Sequence, residues 1–174
     1  MHNGKTLINH AIDAIEDANL HPVIIVLGAN ASLIEPAINN KNILISTNND
    51  WQQGIASSIC AGISSLQKNH SDCDGVMISV CDQPFITGDV LSELTKAQQQ
   101  SGKPMAACSY DDITGTPALF HQSLFPELLL LNGDKGAGSI LKKRFGEVST
   151  VSFPLGKFDI DTKQDYEALK ENTL

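Results

Sequence analysis

The sequence predicts an α/β fold with a mostly parallel sheet covered by helices on both faces, and three observations predict it. Val23-Ile24-Ile25-Val26-Leu27 and Val76-Met77-Ile78-Ser79-Val80 are short apolar runs rich in β-branched residues, the pattern of strands buried on both sides. Apolar residues at helical spacing fill the stretches between such runs through the first two-thirds of the chain. Strands that alternate with helices connect as βαβ units, which place helices over both faces of the sheet. At 174 residues the chain has the length of one ordinary domain, so residues 1–174 are expected to form a single unit with a well-buried core.

The elements follow in order. Leu7, Ile8, Ala11, Ile12, Ile15 and Ala18 place an amphipathic helix over 6–19. Pro22 opens the first strand and Gly28 closes it. Ser32 and Glu35 fit a capping box, with a helix starting near 33. Ile43-Leu44-Ile45 predicts a second strand, and Ile55, Ile59, Ile63 and Leu66 line one side of a helix over 54–66. The third strand, 76–80, ends at Cys81-Asp82-Gln83-Pro84, and Thr87 caps a helix over roughly 88–100. Strands at 104–109 and 117–121 precede two short helices near 123–131 and 136–144. Val148 to Phe153 is the last long strand, and Thr162 with Asp165 forms a capping box for the C-terminal helix.

Composition excludes several function classes. Twenty acidic residues against 12 basic ones give a formal net charge of −8, which disfavours nonspecific binding to nucleic acid or to an anionic membrane. The hydrophobic fraction of 41% and charged fraction of 18% fit neither a disordered nor a membrane protein. No apolar run approaches the roughly 20 residues of a spanning helix, and Met1-His2-Asn3-Gly4-Lys5 lacks a signal pattern. The expected location is the cytoplasm. Cys60, Cys73, Cys81 and Cys108 form no C-x-x-C pair and read as free buried thiols. The five histidines share no spacing and are not expected to be catalytic.

Ligands of such sheets bind beyond the carboxyl ends of the strands, and the chemically informative motifs fall there. Asp82 follows directly on an apolar strand, where a carboxylate can hold a hard cation such as Mg²⁺; the plainer reading is a turn-forming Asp before a proline-stiffened loop. In Asp159-Ile160-Asp161-Thr162, residues two apart on extended chain share a face, so Asp159 and Asp161 point one way and Ile160 the other. Like charges that close need a cation or donors; alternatively Asp161 merely extends the helix cap. Gly133-Asp134-Lys135-Gly136-Ala137-Gly138 offers bare amides and one ammonium before a short helix, which suits an anion as well as it suits a plain mobile loop. Gly115-Thr116-Pro117 either lets a substrate approach the backbone or is a turn into a strand. Asn49-Asp50-Trp51-Gln52-Gln53-Gly54, then Ser57-Ser58, sets the only Trp before a helix N-terminus.

Taken in order, these segments resemble the MobA-like nucleotidyltransferases, and within them the molybdenum cofactor cytidylyltransferase branch. The resemblance runs from Gly4-Lys5-Thr6-Leu7 through Val26-Leu27-Gly28-Ala29, Asn49-x-Trp51-x-x-Gly54, Ser57-Ser58 and Cys81-Asp82-Gln83-Pro84-Phe85. It continues through Gly115-Thr116-Pro117-Ala118-Leu119-Phe120, Gly133-Asp134-Lys135-Gly136-Ala137 and Asp159-Ile160-Asp161-Thr162. It implies a three-layer α/β/α sheet of the glycosyltransferase-A type. It also implies transfer of a nucleoside monophosphate, CMP by preference, from an NTP to the phosphate of molybdopterin or molybdenum cofactor, with release of pyrophosphate. Mg²⁺ is the implied cofactor. Asp82 and Asp161 are the implied catalytic residues, and Asp82, Asp159 and Asp161 the implied metal ligands. Gly115, Pro117, Gly133, Asp134, Lys135 and Gly136 would face the bound acceptor. CTP, molybdopterin and a molybdenum enzyme are the implied partners, without nucleic acid or membrane.

The sequence departs from the family in one large respect. The family opens with a strand and a glycine-rich loop, roughly L-x-A-G-x-S-x-R-M-G, followed by a lysine; none of these is present, and Lys5 belongs to the later Gly-Lys-Thr-Leu segment. The expected fold therefore lacks the family's first, central strand and is N-terminally incomplete, with apolar strand faces and unpaired edges at a central gap. The chain alone is expected to be inactive or nearly so. Gly138 stands where the family often has Arg, and Lys163 where it often has Pro. Two other readings stay open: a noncatalytic molybdenum-cofactor-binding or insertion partner, and a sugar-phosphate nucleotidyltransferase.

Overall fold

The computed structural model describes residues 4–38 and 42–171. The first helix, α1 (Leu7–Asp17), starts at Thr6, whose hydroxyl accepts from the Asn9 amide. The buried Asn9 side chain donates to Thr6 Oγ1 at 2.7 Å and to the Ala37 carbonyl at 2.8 Å, tying this helix to the chain that follows the first strand. That strand, β1 (Val23–Leu27), pairs in parallel with β2 (Ile43–Thr47), in register from Val23 with Ile43 to Leu27 with Thr47. Between them the predicted Ser32–Glu35 capping box does not form. Helix α2 (Ala31–Ile34) starts instead after Asn30, which is left-handed at φ 58° and makes no side-chain cap. It passes into a 3-10 turn over Glu35–Ala37, because Pro36 lacks the donor a longer α-helix needs.

The next elements are α3 (Ile55–Asn69), β3 (Gly75–Ile78), α4 (Gly88–Ser101), β4 (Met105–Tyr110) and β5 (Ile113–His121). They are followed by α5 (Phe125–Leu129), α6 (Gly138–Lys143), β6 (Val148–Ser152) and α7 (Lys163–Lys170). Strands β3, β5, β4 and β6 form one sheet in that order. β4 and β6 run parallel, while β5 is antiparallel to both β3 and β4. The Gly115-Thr116-Pro117 segment is therefore no turn into a strand. It lies inside β5, beside a register shift at Ala107/Cys108 that absorbs the irregularity.

The layers are visible in β4. Met105 and Ala107 face one core with Ile63 and Leu66 of α3, Phe125 and Leu128 of α5, and Ile140 and Leu141 of α6. Ala106 and Cys108 face the other, with Ala14 of α1 and Leu91 and Leu94 of α4. This is the period-2 alternation of a strand covered on both sides, and the chain has the expected three-layer α/β/α fold. The four thiols are free but not uniformly buried: Cys108 is buried, Cys60 and Cys73 are half-buried and Cys81 is exposed. No helix among the described residues is long and apolar enough to cross a membrane.

The six strands do not form one sheet. Among the described residues, β1 and β2 make a separate pair, and no ladder joins β1 to β3. Burial follows this break. β4, which has neighbours on both edges, is fully buried from Met105 to Cys108, whereas β3 is only half-buried along its whole length, as are Ile24, Ile25 and Val26 of β1.

Candidate active site

Asp82 lies in the bend between β3 and α4, on the loop that leaves the carboxyl end of β3. Three contacts fasten this loop to the segment between β6 and α7. The Ile160 amide donates to the Asp82 carbonyl at 2.8 Å. Gln83 Nε2 donates to the Gly156 carbonyl at 2.7 Å. The Phe85 and Phe158 rings meet edge to face, with centroids 6.0 Å apart. Two motifs far apart in sequence thus become one structure. Ile160 is half-buried between the exposed Asp159 and Asp161, so the alternation expected of that segment is present.

The electrostatics of Asp82 set it apart. Its Oδ1 is buried and has no hydrogen-bond partner among the described residues. Burial holds its carboxyl above the ordinary carboxylate range, and the charges of Asp159 and Asp161 add to this. A buried, unpartnered carboxylate oxygen beside two further carboxylates is an environment a hard cation would relieve. Among the described residues no three His, Cys, Asp or Glu side chains are already gathered as a metal cluster. A cation on Asp82 would therefore complete its shell with other oxygens, as Mg²⁺ commonly does with substrate phosphates and water.

A second neighbourhood forms at the end of β2. Asn48 is buried, and its Nδ2 donates to the hydroxyls of Ser57 and Ser58 at 2.8 and 3.0 Å, which staples the strand end to the start of α3. The Ala56 amide donates to the Gly133 carbonyl at 3.1 Å. Gly54, at φ 97°, leaves no room for a side chain, since an added Cβ would lie 2.4 Å from that same carbonyl and 2.6 Å from Asp134 Oδ1. Gly28 is likewise required by the Trp51 side chain, which would lie 2.7 Å from a Cβ there. An open cavity of about 460 Å³ adjoins this neighbourhood, with Asp50, Gln53, Ser57 and Gly133 among its walls.

The structure brings Asp82, Asp159 and Asp161 together, and separately joins Gly133 and Asp134 to the start of α3. Gly136 sits near Ile55, and Lys135 is exposed. Gly115 is half-buried, and the Tyr110 hydroxyl stands on its side-chain face, 2.5 Å from where a Cβ would lie. Pro117 is buried in β5 after a cis peptide bond. Lys5 is paired with Asp13. Tyr110 and Asn48 escaped the sequence reading. Nothing near Tyr110 in the chain marks it, whereas Asn48, directly before the Asn49–Gly54 motif, was legible as a polar residue closing an apolar strand. Burial pushes the Tyr110 phenol up, against the pull of the neighbouring Gln83 side chain.

Comparison with known proteins bears on the family and the fold. The MobA-like NTP transferase domain family matches residues 1–148. The chain is 29% identical over 150 residues to nicotine blue oxidoreductase of Paenarthrobacter nicotinovorans, covering 82% of this chain and 71% of that protein. It is 25% identical over 174 residues to molybdenum cofactor guanylyltransferase of Neisseria meningitidis, covering 94% and 85%. Among solved structures, the Rv0371c homologue from Mycobacterium sp. strain JC1 superimposes with a TM-score of 0.84 at 23% identity, over 99% of this chain and 85% of that one. The manganese complex of Rv0371c from Mycobacterium tuberculosis gives 0.78 at 22% identity, over 98% and 89%.

Proposed function

The chain belongs to the MobA-like NTP transferase domain family, and on that premise we propose that it is a Mg²⁺-dependent nucleotidyltransferase that moves CMP from CTP to the phosphate of molybdopterin in the molybdenum cofactor. In this reaction an acceptor phosphate oxygen bonds to the α-phosphorus, the bond from that phosphorus to the bridging oxygen breaks, and pyrophosphate leaves. The observation that carries the reading is the buried, unpartnered Oδ1 of Asp82, crowded by Asp159 and Asp161.

Asp82 and Asp161 would hold the divalent cation, with Asp159 adding negative charge beside them. When bound, the cation offsets charge on the triphosphate oxygens. The protein's own part is positioning. The Ile160 amide fixes Asp82 relative to the Asp159–Asp161 segment, and Gln83 anchors the loop to Gly156. Gly133, Asp134, Lys135 and Gly136 would form the acceptor side, with Lys135 as the cation available to a phosphate. Gly115 and Pro117 would shape the same side through β5, with Tyr110 on the side-chain face of the glycine. The manganese complex of a relative of the same fold supports a divalent cation, and the guanylyltransferase supports a molybdenum-cofactor acceptor.

The test is pyrophosphate release by the 174-residue chain from CTP or GTP, with molybdenum-bearing molybdopterin and Mg²⁺. The expected result is release that favours CTP and is lost on chelation. Asp82→Asn is expected to reduce it by more than about 100-fold, beyond the cost of removing an outer-shell partner. Cofactor binding with no release from either nucleotide would favour the noncatalytic partner. Release with a sugar phosphate as acceptor and none with molybdopterin would favour the sugar-phosphate enzyme.

A further inference from the structure

Trp51, the only tryptophan in the chain, stands at the carboxyl ends of β1 and β2. Gly28 directly follows β1, and a Cβ there would lie 2.7 Å from Trp51 Cβ, 3.1 Å from its Cγ and 3.6 Å from its Cδ1. The pyrrole edge of the indole is thus seated on bare backbone. The 3-10 turn over Trp51–Gln53 fixes it from its own side. There the Gln53 amide donates to the Asp50 carbonyl at 2.8 Å, and Gln53 Nε2 donates to Asp50 Oδ1 at 2.9 Å. The Gly54 amide donates to the Trp51 carbonyl at 3.2 Å. A side chain held this firmly is nevertheless 43% exposed. Ile55, which opens α3 just beyond, is 49% exposed, and its Cγ2 is 3.7 Å from where a Cβ of Gly136 would stand. The turn and α3 pack together, so the two side chains make one fixed apolar shelf. It lies at the end of the sheet where ligands of parallel strands bind.

We infer that Trp51 and Ile55 receive the planar fused heterocycle of the phosphorylated acceptor, with the indole stacked on its face; this rests on the acceptor proposed above. An aromatic side chain open to solvent binds flat conjugated rings through their faces, as aromatic platforms do for nucleic acid bases. The indole is already seated, so little order has to be gained on binding. The shelf meets the acceptor loop at both of the loop's ends. Ile55 sits against Gly136, and the Ala56 amide donates to the Gly133 carbonyl at 3.1 Å. The exposed Lys135 lies between those two glycines and supplies a cation for the acceptor's phosphate. Asp82 is fastened instead to the segment after β6, so the carboxylates that would hold the metal lie with β3 and β6. Trp51 is then the residue that favours a flat conjugated acceptor over a sugar phosphate. The nucleobase is the second planar ring in the reaction, and the test separates the two.

The test is binding of 6-hydroxymethylpterin phosphate to the full 174-residue chain without nucleotide, followed by equilibrium dialysis and by the near-ultraviolet absorption of the pterin. Stacking on the indole is expected to weaken and red-shift that absorption band. Trp51→Phe, which keeps a ring, is expected to bind within about threefold of wild type, and Trp51→Leu about tenfold or more weakly, the loss of one stacked ring. Glucose 1-phosphate, which carries the phosphate and no flat ring, is expected to bind all three proteins equally. An unshifted band, or equal pterin affinity in Trp51→Leu, would overturn the proposal; if Trp51→Leu does not fold, the band in wild type decides it. A shift with cytidine monophosphate and none with the pterin would overturn it by seating the nucleobase on the indole. An equal loss of glucose 1-phosphate binding in Trp51→Leu would overturn it by making Trp51 a structural support. No turnover is needed. Pterin stacking without pyrophosphate release would refute the reaction and leave the shelf standing, whereas release to molybdopterin that Trp51→Leu leaves unchanged would refute the shelf alone.

Discussion

At the scale of single residues, Asp82 is where burial and charge conflict. Because its carboxyl is held above the ordinary range, its contribution to stability is present below the ordinary carboxylate pKa and is lost as pH rises through the raised value. At neutral pH the ionised side chain works against the fold. Asp82→Asn is expected to keep or raise the thermal midpoint at pH 7, with the difference from wild type shrinking toward pH 3; a lower midpoint at pH 7 would make Asp82 a structural residue. Cys108 shows the opposite use of burial. Burial alone pushes its thiol up to about 12. A thiol reagent at pH 8 is expected to spare Cys108 in the folded chain, while the exposed Cys81 reacts first, slowed because burial and the Asp82 charge also push its thiol up; early labelling of Cys108 would show that the core around β4 opens.

At the scale of elements, short-range chemistry was legible and long-range chemistry was not. The Thr162–Asp165 capping box forms as the sequence predicts, because every group it needs lies within four residues. The Ser32–Glu35 box fails because the helix already starts after Asn30, which leaves Ser32 inside it and not at its cap. The β4–β5 hairpin joins two predicted strands, yet the antiparallel course of β5 and the covering of Gly115 by Tyr110 depend on tertiary packing. The contact between the Gly133 loop and α3 is of the same kind. Gly54→Ala forces a Cβ against the Gly133 carbonyl at a left-handed φ, and is expected to cost about 2 kcal/mol in urea unfolding. Gly138→Ala meets nothing within 4 Å at the start of α6 and is expected to stay within about 0.5 kcal/mol of wild type. Equal costs would mean that the Gly54–Gly133 contact does not position the loop.

At the scale of the whole molecule, the sequence-predicted three layers are present, and the acidic motifs meet because the loop after β3 and the segment after β6 are bound together at Asp82–Ile160. The order of the strands was not legible, since apolar runs such as 23–27 and 76–78 carry no information about which edge meets which. Among the described residues β1 and β2 form a ladder separate from that of the other four strands. This separation accounts for the half-buried state of strands whose sequences call for full burial.

The measurement that bears most directly on the account is calorimetric titration of CTP into the 174-residue chain and its Asp82→Asn variant, with and without Mg²⁺. Binding that needs Mg²⁺ and falls by about tenfold or more in the variant is the predicted result. Binding of equal strength in the variant, or unchanged on chelation, would contradict the assignment of Asp82 as the centre of the nucleotide site.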